Sequence, residues 1–153
     1  MNIHTSRLTL HALTPQDAYL LYRYRSKKEV EKYQSFHDFT FLEAMQTVNM
    51  PAPKKEAGSY QLGIYLNDWL IGDLFFHFTK NLECFLGYTL DDDYWHHGYG
   101  YEAVKASIEY LKRELDISEY YAYIDQNNLA SIKLIRKLGF VKLENGIYYL
   151  HIV

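Results

Sequence analysis

Hydrophobic and polar positions along this chain follow two periods, and the period changes from helical to alternating near residue 59. A short extended run comes first, since Ile3 to His11 alternates well enough for a strand. Thr14-Pro15-Gln16-Asp17 then reads as an N-cap, a proline at the first helical position and an acidic residue in the first turn. Ala18, Leu21 and Tyr22, with the stem of Arg25, give that helix a buried stripe. A second short helix is predicted over Ser26 to Tyr33, and Thr40-Phe41-Leu42-Glu43 starts a third that ends near Met50. Pro51-Ala52-Pro53 stops it, and a loop is expected through Gly58.

From Ser59 the period is that of strands. Tyr60 to Leu66, Trp69 to Thr79 and Leu82 to Leu90 are aromatic and aliphatic runs. Asn67-Asp68 and Lys80-Asn81 separate them as two-residue hairpin turns, which makes an antiparallel meander. Tyr101, Val104, Ile108, Leu111 and Leu115 then recur at helical spacing. Glu119 to Asp125 is a short strand and Leu129 to Leu138 a second helix in this half. Gly139 sits where a left-handed cap belongs, with Lys133, Arg136 and Lys137 near the negative end of the dipole. Phe140 to Leu143 and Ile147 to Val153 flank Asn145-Gly146, a hairpin signal. The expected fold class is α+β: a meander, then a strand–helix–strand–helix unit, then a closing hairpin. With no repeat, low-complexity tract or linker, residues 1–153 read as a single domain.

Composition narrows the function classes. A chain of 153 residues, 48% hydrophobic, supports one well-buried core and not two ordinary domains. A net charge of -3 supplies no field for nucleic acid and slightly favours a cationic or neutral ligand. The lone Cys84 excludes an intrachain disulfide, and with no secretion signal or membrane-length apolar run this points to the cytoplasm and away from membranes. Sixteen tyrosines each bring a hydroxyl that needs a partner. Some would line a polar pocket or an interface, a homodimer among the options, the other reading being a tyrosine-rich surface.

The segment Tyr94-Trp95-His96-His97-Gly98-Tyr99-Gly100-Tyr101-Glu102-Ala103 carries the chemistry. Two glycines one residue apart, just before a helical run, bare backbone N–H groups at the positive end of the dipole and suit a phosphate. Gly98-x-Gly100-x-x-Ala103 also satisfies the loose dinucleotide fingerprint. Against that, Asp91 to His97 separate the turn from its strand, and hairpin-linked strands are antiparallel where a doubly wound sheet needs crossovers.

Together with Asn128-Leu129-Ala130-Ser131 and Leu138-Gly139-Phe140, the segment resembles the GNAT superfamily of N-acetyltransferases, more narrowly its RimJ/RimL-type branch. Thr5-Ser6-Arg7-Leu8-Thr9-Leu10 resembles the first strand of that branch, and Glu29-Val30 through Tyr33 its second helix. The resemblance implies a GNAT-like mixed sheet in which the strand ending at Tyr88-Thr89-Leu90 splays from the parallel strand Glu119 to Asp125. It places the pantetheine arm of acetyl-CoA in that gap, its pyrophosphate on the N–H groups of His96, His97, Gly98, Tyr99, Gly100 and Tyr101, and Asn128 and Ser131 on the far side. His96 and His97 stand where related loops offer lysine or arginine, so cofactor affinity is expected to strengthen as pH falls.

The implied reaction is direct attack of a primary amine on the thioester, the acceptor being a protein N-terminus or a small amine. A lysine-like amine costs about 4 kcal/mol to deprotonate near neutral pH and an α-amine well under 1, so a strong base is not always needed. A main-chain N–H around Tyr88 or Thr89 would hold the oxyanion. The tyrosine that many relatives place on the second helix is here Ile135, and the RimL-type resemblance implies Ser131 as the group that assists the leaving thiolate, the other reading being a hydroxyl that only bonds the cofactor or caps a helix turn, with Tyr148 and Tyr149 as weaker alternatives. A glutamate common two residues before the strand glycine is here Phe85, and Glu83, two further back on the same face, is the candidate base, a solvated strand-end glutamate being the other reading. Asp91-Asp92-Asp93 reads as a solvated loop able to attract a cation. No metal is expected, since adjacent histidines without a third ligand rarely share one ion. The acceptor site would be built from the first helices and the closing hairpin, where no motif helps. The rival reading is a non-catalytic acyl-CoA-binding or sensor domain.

Overall fold

Thr5 divides the first extended run in two. In the computed structural model, which describes residues 1–50 and 57–153, β1 (Asn2–His4) and β2 (Thr9–Ala12) form an antiparallel pair instead of the single strand expected. The Thr5 N–H donates to the Leu8 carbonyl at 2.9 Å, and its hydroxyl oxygen accepts from the Leu8 N–H at 2.9 Å. Glu102 holds this turn from across the molecule, accepting from the Thr5 hydroxyl at 2.6 Å and the Arg7 N–H at 3.0 Å. Side chain-to-backbone bonding of this kind competes with strand continuation, and alternation alone does not reveal it.

Thr14 and Asp17 form the expected capping box, and a 3-10 turn, Pro15–Asp17, leads into α1 (Ala18–Arg25). α2 (Lys28–Glu31) is a single turn, shorter than the expected Ser26 to Tyr33, and α3 (Phe41–Val48) starts on the Thr40–Glu43 capping box. The expected stop at Pro51-Ala52-Pro53 lies outside the described residues. β3 (Gly58–Leu66), β4 (Trp69–Phe78) and β5 (Glu83–Leu90) form the antiparallel meander. Asn67 and Asp68 both take positive φ, +49° and +65°, as a two-residue hairpin turn with matching twist requires. The next connection is longer than Lys80-Asn81. Thr79 N–H donates to the Glu83 carbonyl and Leu82 turns left-handed, which closes a four-residue loop.

α4 (Tyr99–Leu115), β6 (Glu119–Tyr123), α5 (Leu129–Lys137), β7 (Val141–Glu144) and β8 (Ile147–His151) complete one eight-stranded sheet, ordered β1-β2-β3-β4-β5-β6-β8-β7. All neighbours are antiparallel except β5 and β6. Val104, Ile108 and Leu111 of α4 and Ile135 of α5 fill one face against Leu74, Phe76, Cys84, Leu86 and Tyr120. Leu115, expected in that stripe, is exposed because Asp116 turns left-handed and ends the helix. α1 to α3 cover part of the other face around Tyr65 and Leu70. Arg25 is buried there with its guanidinium, not only its stem. It stacks over Phe36 and Phe39 and donates to Asp73 of β4 at 2.6 Å.

The Glu102 clamp gives stability a pH dependence. Partial burial opposes ionisation, but bonds from the Thr5 hydroxyl and from Arg7 outweigh it and hold the carboxyl below the ordinary glutamate range. A carboxylate depressed in this way lends stability that is full above its unfolded value and lost as pH falls through the folded one. Glu102→Gln is expected to lower the melting temperature at pH 7, with the difference closing once pH drops below about 4. Thermal unfolding of both proteins from pH 3 to 8 checks this.

Candidate active site

The site begins where the β5–β6 ladder stops. The two strands pair over three positions only, Glu83 with Glu119, Cys84 with Tyr120 and Phe85 with Tyr121. Beyond them the strands part, which is the predicted splay. The Glu83 carbonyl accepts from Thr79 N–H and the Asp91 N–H donates to Ile71, so odd-numbered residues of β5 bond toward β4. Leu86, Tyr88 and Leu90 therefore aim their backbone groups into the gap. The Tyr88 carbonyl accepts from Gln34 at 3.4 Å and the Leu90 carbonyl from the Trp95 indole at 2.9 Å. This geometry separates two candidates that sequence left together: the Tyr88 N–H faces the gap, and that of Thr89 faces β4.

Trp95 ties the loop to the end of β5, and the chain then passes through His96 and Gly98 at φ +67° and +79° into α4. Gly98 is the N-cap and has no side chain to offer, so no side-chain cap hydrogen bond closes the first turn. The free N–H groups and the dipole make an anion cradle. Gly100 plays a different part. A Cβ there would stand 3.1 Å from Leu134 of α5, so this glycine lets the two helices approach.

A cavity of about 590 Å³ runs from this cradle along β5, within the range of cofactor sites. Tyr88, Thr89, Leu90, His96, Gly98, Tyr99, Gly100, Tyr101, Asn128 and Ser131 all line it. His97 does not. Its carbonyl accepts from Arg7 at 2.8 Å and its ring leans on Tyr99. The cationic side chains on the cavity are instead Lys32, Lys133 and Lys137, the last over the Tyr101 ring at 4.4 Å. The α5 lysines were legible only as helix-end charges. Arg7 backs the loop, pairing with Glu102 at 2.7 Å and lying over Tyr99.

Ser131 lines both this cavity and a smaller one of about 50 Å³ in the gap itself. Its N–H donates to Asn128 Oδ1 at 3.3 Å, so Asn128 caps α5 as well as lining the cavity. Tyr88 donates to the Ser131 carbonyl at 3.3 Å, and burial pushes that phenol up to about 12, which keeps it a donor. Ile135 is fully buried. Tyr148 is buried in the core, and Tyr149 lies on the opposite sheet face, donating to Glu119. Glu83 is not brought to Ser131: it stands at the start of β5, five residues or roughly 16 Å of strand from Tyr88. It accepts from the Thr79 hydroxyl at 3.1 Å.

Asp91-Asp92-Asp93 is a solvated loop only at Asp93, with Asp92 half-buried. Asp91 is fully buried, and Lys27 Nζ sits among all three carboxylates at 2.7, 2.9 and 3.3 Å. These bonds outweigh the lysine's desolvation and raise its pKa, so the cluster clamps the start of α2 to the loop that leads into α4, with an ammonium at its centre.

The sequence profile of the acetyltransferase (GNAT) domain matches residues 7–141. The chain belongs to the GNAT acetyltransferase family. An uncharacterised N-acetyltransferase of Bacillus licheniformis, p20, is 30% identical over 146 residues, covering 92% of this chain and 82% of the relative. A GNAT-family acetyltransferase from Bacillus anthracis superposes with a TM-score of 0.85 at 23% identity, covering 100% of this chain and 98% of that one. RimL, a ribosomal L7/L12 α-N-protein acetyltransferase solved with coenzyme A, gives 0.81 at 17%, covering 99% and 98%. This GNAT protein is thus an acyltransferase, and acetyl-CoA is the cosubstrate that its family implies. The uncapped α4 terminus, the unpaired ladder and the cavity joining them fit that ligand. No helix among the described residues is long and apolar enough to cross a membrane.

Proposed function

We propose that this protein transfers an acetyl group from acetyl-CoA to a primary amine by direct attack, without an acyl-enzyme. The observation that carries the reading is the opening in the sheet, where the Tyr88 N–H and Ser131 face the same gap downstream of the phosphate cradle. Tyr88 N–H would hold the oxyanion as it develops, a fixed donor in a site shielded from water. Ser131 would supply a proton to the departing thiolate, the task that the buried Ile135 cannot perform. Gln34 and Tyr88 hold this geometry, one bonding the strand carbonyl and the other that of Ser131. An α-amine needs little deprotonation near neutral pH, so the distance of Glu83 is no obstacle. We place the activity in the cytoplasm and in one domain spanning the chain.

Acetyl-CoA with a panel of peptide N-termini, polyamines and small amines, followed by thiol release, tests the reading. Turnover on any amine supports it; binding of acetyl-CoA with no turnover would return the binding-module reading. Ser131→Ala is expected to lower kcat and kcat/KM equally, by about 100-fold, near the low end for a lost proton donor. Calorimetry should show its acetyl-CoA affinity little changed.

A further inference from the structure

Helices α1 to α3 cover only part of their sheet face, and no helix of the described residues covers the remainder on β5, β6 and β8. In register across those strands lie Phe85, Tyr121 and Tyr149. Phe85 stacks on Tyr121 with ring centroids 4.9 Å apart, and Tyr121 meets Tyr149 at 5.2 Å with the rings tilted by 43°. Phe85 is 44% exposed, and Tyr123, beside the gap on the same face, is 77% exposed. At the gap itself Gly87 shares this face, and a Cβ built there would meet nothing within 4 Å. An aromatic strip thus leads from open space at the gap across three strands.

One row further along, Glu83 lies opposite Glu119. Like charges facing each other across a ladder are destabilising. Glu119 is offset by the Tyr149 hydroxyl and by His151 Nδ1 at 2.6 Å. Glu83 receives only the neutral Thr79 hydroxyl among the described residues. An unrelieved carboxylate beside exposed rings suits a cation, whose stem lies on the aromatics and whose head meets the charge.

We propose that this face docks the acceptor, and that the acceptor is a peptide N-terminus carrying a basic side chain within its next few residues. The proposal rests on the acetyltransfer reading and names its substrate class. An α-amine at Gly87 and a cation at Glu83 are four strand residues apart, about 13 Å. An extended peptide spans that in about four residues, and a lysine or arginine stem shortens it to two or three. A small amine that fits the gap would leave the strip bare.

Binding of synthetic pentapeptides to the protein saturated with coenzyme A, read by calorimetry, tests the proposal without requiring turnover. The peptides share an N-terminal serine and differ in lysine, alanine or glutamate at positions two to four. The lysine peptide is expected to bind about tenfold or more tighter than the glutamate peptide. Glu83→Gln should weaken the lysine peptide about three- to fivefold and leave the alanine peptide unchanged. Glu83→Lys should reverse the order, and Glu83→Gln should melt no lower than the parent, which shows that the effect is not a folding defect. Equal binding of the three peptides overturns the proposal, as does spermidine displacing the lysine peptide at lower concentration. A Glu83→Gln variant that loses kcat at unchanged KM also overturns it, assigning Glu83 to proton abstraction. If no peptide binds but small amines release thiol, the acetyltransfer reading stands and this one falls.

Discussion

Asp73→Ala should be the most damaging single substitution in the α1–β4 interface, at about 3–5 kcal/mol of stability. Asp73 is 1% exposed and accepts from the Arg25 guanidinium at 2.6 and 3.3 Å as well as from the Tyr24 hydroxyl. Removing the carboxylate strands a buried cation between Phe36 and Phe39 and leaves a buried phenol without its acceptor. Burial first, then Asp73, raises the Tyr24 pKa, so that phenol stays a donor seeking a partner. At roughly 2–4 °C per kcal/mol for a chain of this size, the melting temperature should fall by about 10 °C. Tyr24→Phe, which leaves the ion pair intact, should cost only about 1–2 kcal/mol. Equal losses in the two variants would show that the phenol, not the ion pair, carries the interface. Asp73 lies opposite Thr89 in the ladder, so the same loss loosens α1 over the strand that lines the cavity.

Gly98→Val should weaken acetyl-CoA binding by about 100-fold. A left-handed conformation costs a branched L-residue about 1–2 kcal/mol, and Gly98 sits at φ +79° with Arg7 Nη2 3.4 Å from where its Cβ would stand. Relieving that strain turns the loop and withdraws N–H groups from the phosphates, at about 1.5–3 kcal/mol for a lost charge-assisted bond. Only one of these costs is paid on binding, and the larger corresponds to about two powers of ten in Kd. Calorimetric titration of acetyl-CoA measures the change, and Gly98→Ala should fall between the two. Position 100 is a poorer choice, because a side chain there presses on Leu134 and would disturb the α4–α5 packing along with the cradle. A Gly98→Val protein that folds and binds acetyl-CoA normally would place the phosphates elsewhere.

Local structure is legible in the sequence wherever one residue type meets one backbone demand. The Thr14 and Thr40 capping boxes, the Asn67-Asp68 turn, the glycine opening of α4 and the left-handed Gly139 all appear where composition and spacing put them. Hydrophobic period located the meander, both long helices and the closing hairpin. Local pattern does not reveal what a distant partner decides. Glu102, nearly a hundred residues away, breaks the first strand at Thr5 and braces Arg7 behind the glycine turn that opens α4. Lys27 turns three apparently solvated aspartates into a clamp.

By itself, then, the sequence determined the order of helices and strands, the paired motifs that mark an acetyltransferase, and the glycine turn that opens α4 beside the cavity. Those depend on backbone chemistry and periodicity within a few residues. Only the tertiary structure decided that the β5–β6 ladder ends at Phe85, that Tyr88 and not Thr89 turns its N–H to the gap, and that Glu83 stands far from Ser131. It also set Lys32, just past α2, and two lysines of α5, in place of His97, along the cavity. Each of these is a matter of register or of which residues meet across the sheet. Register is set by the whole ladder at once, so no window of neighbouring residues contains it.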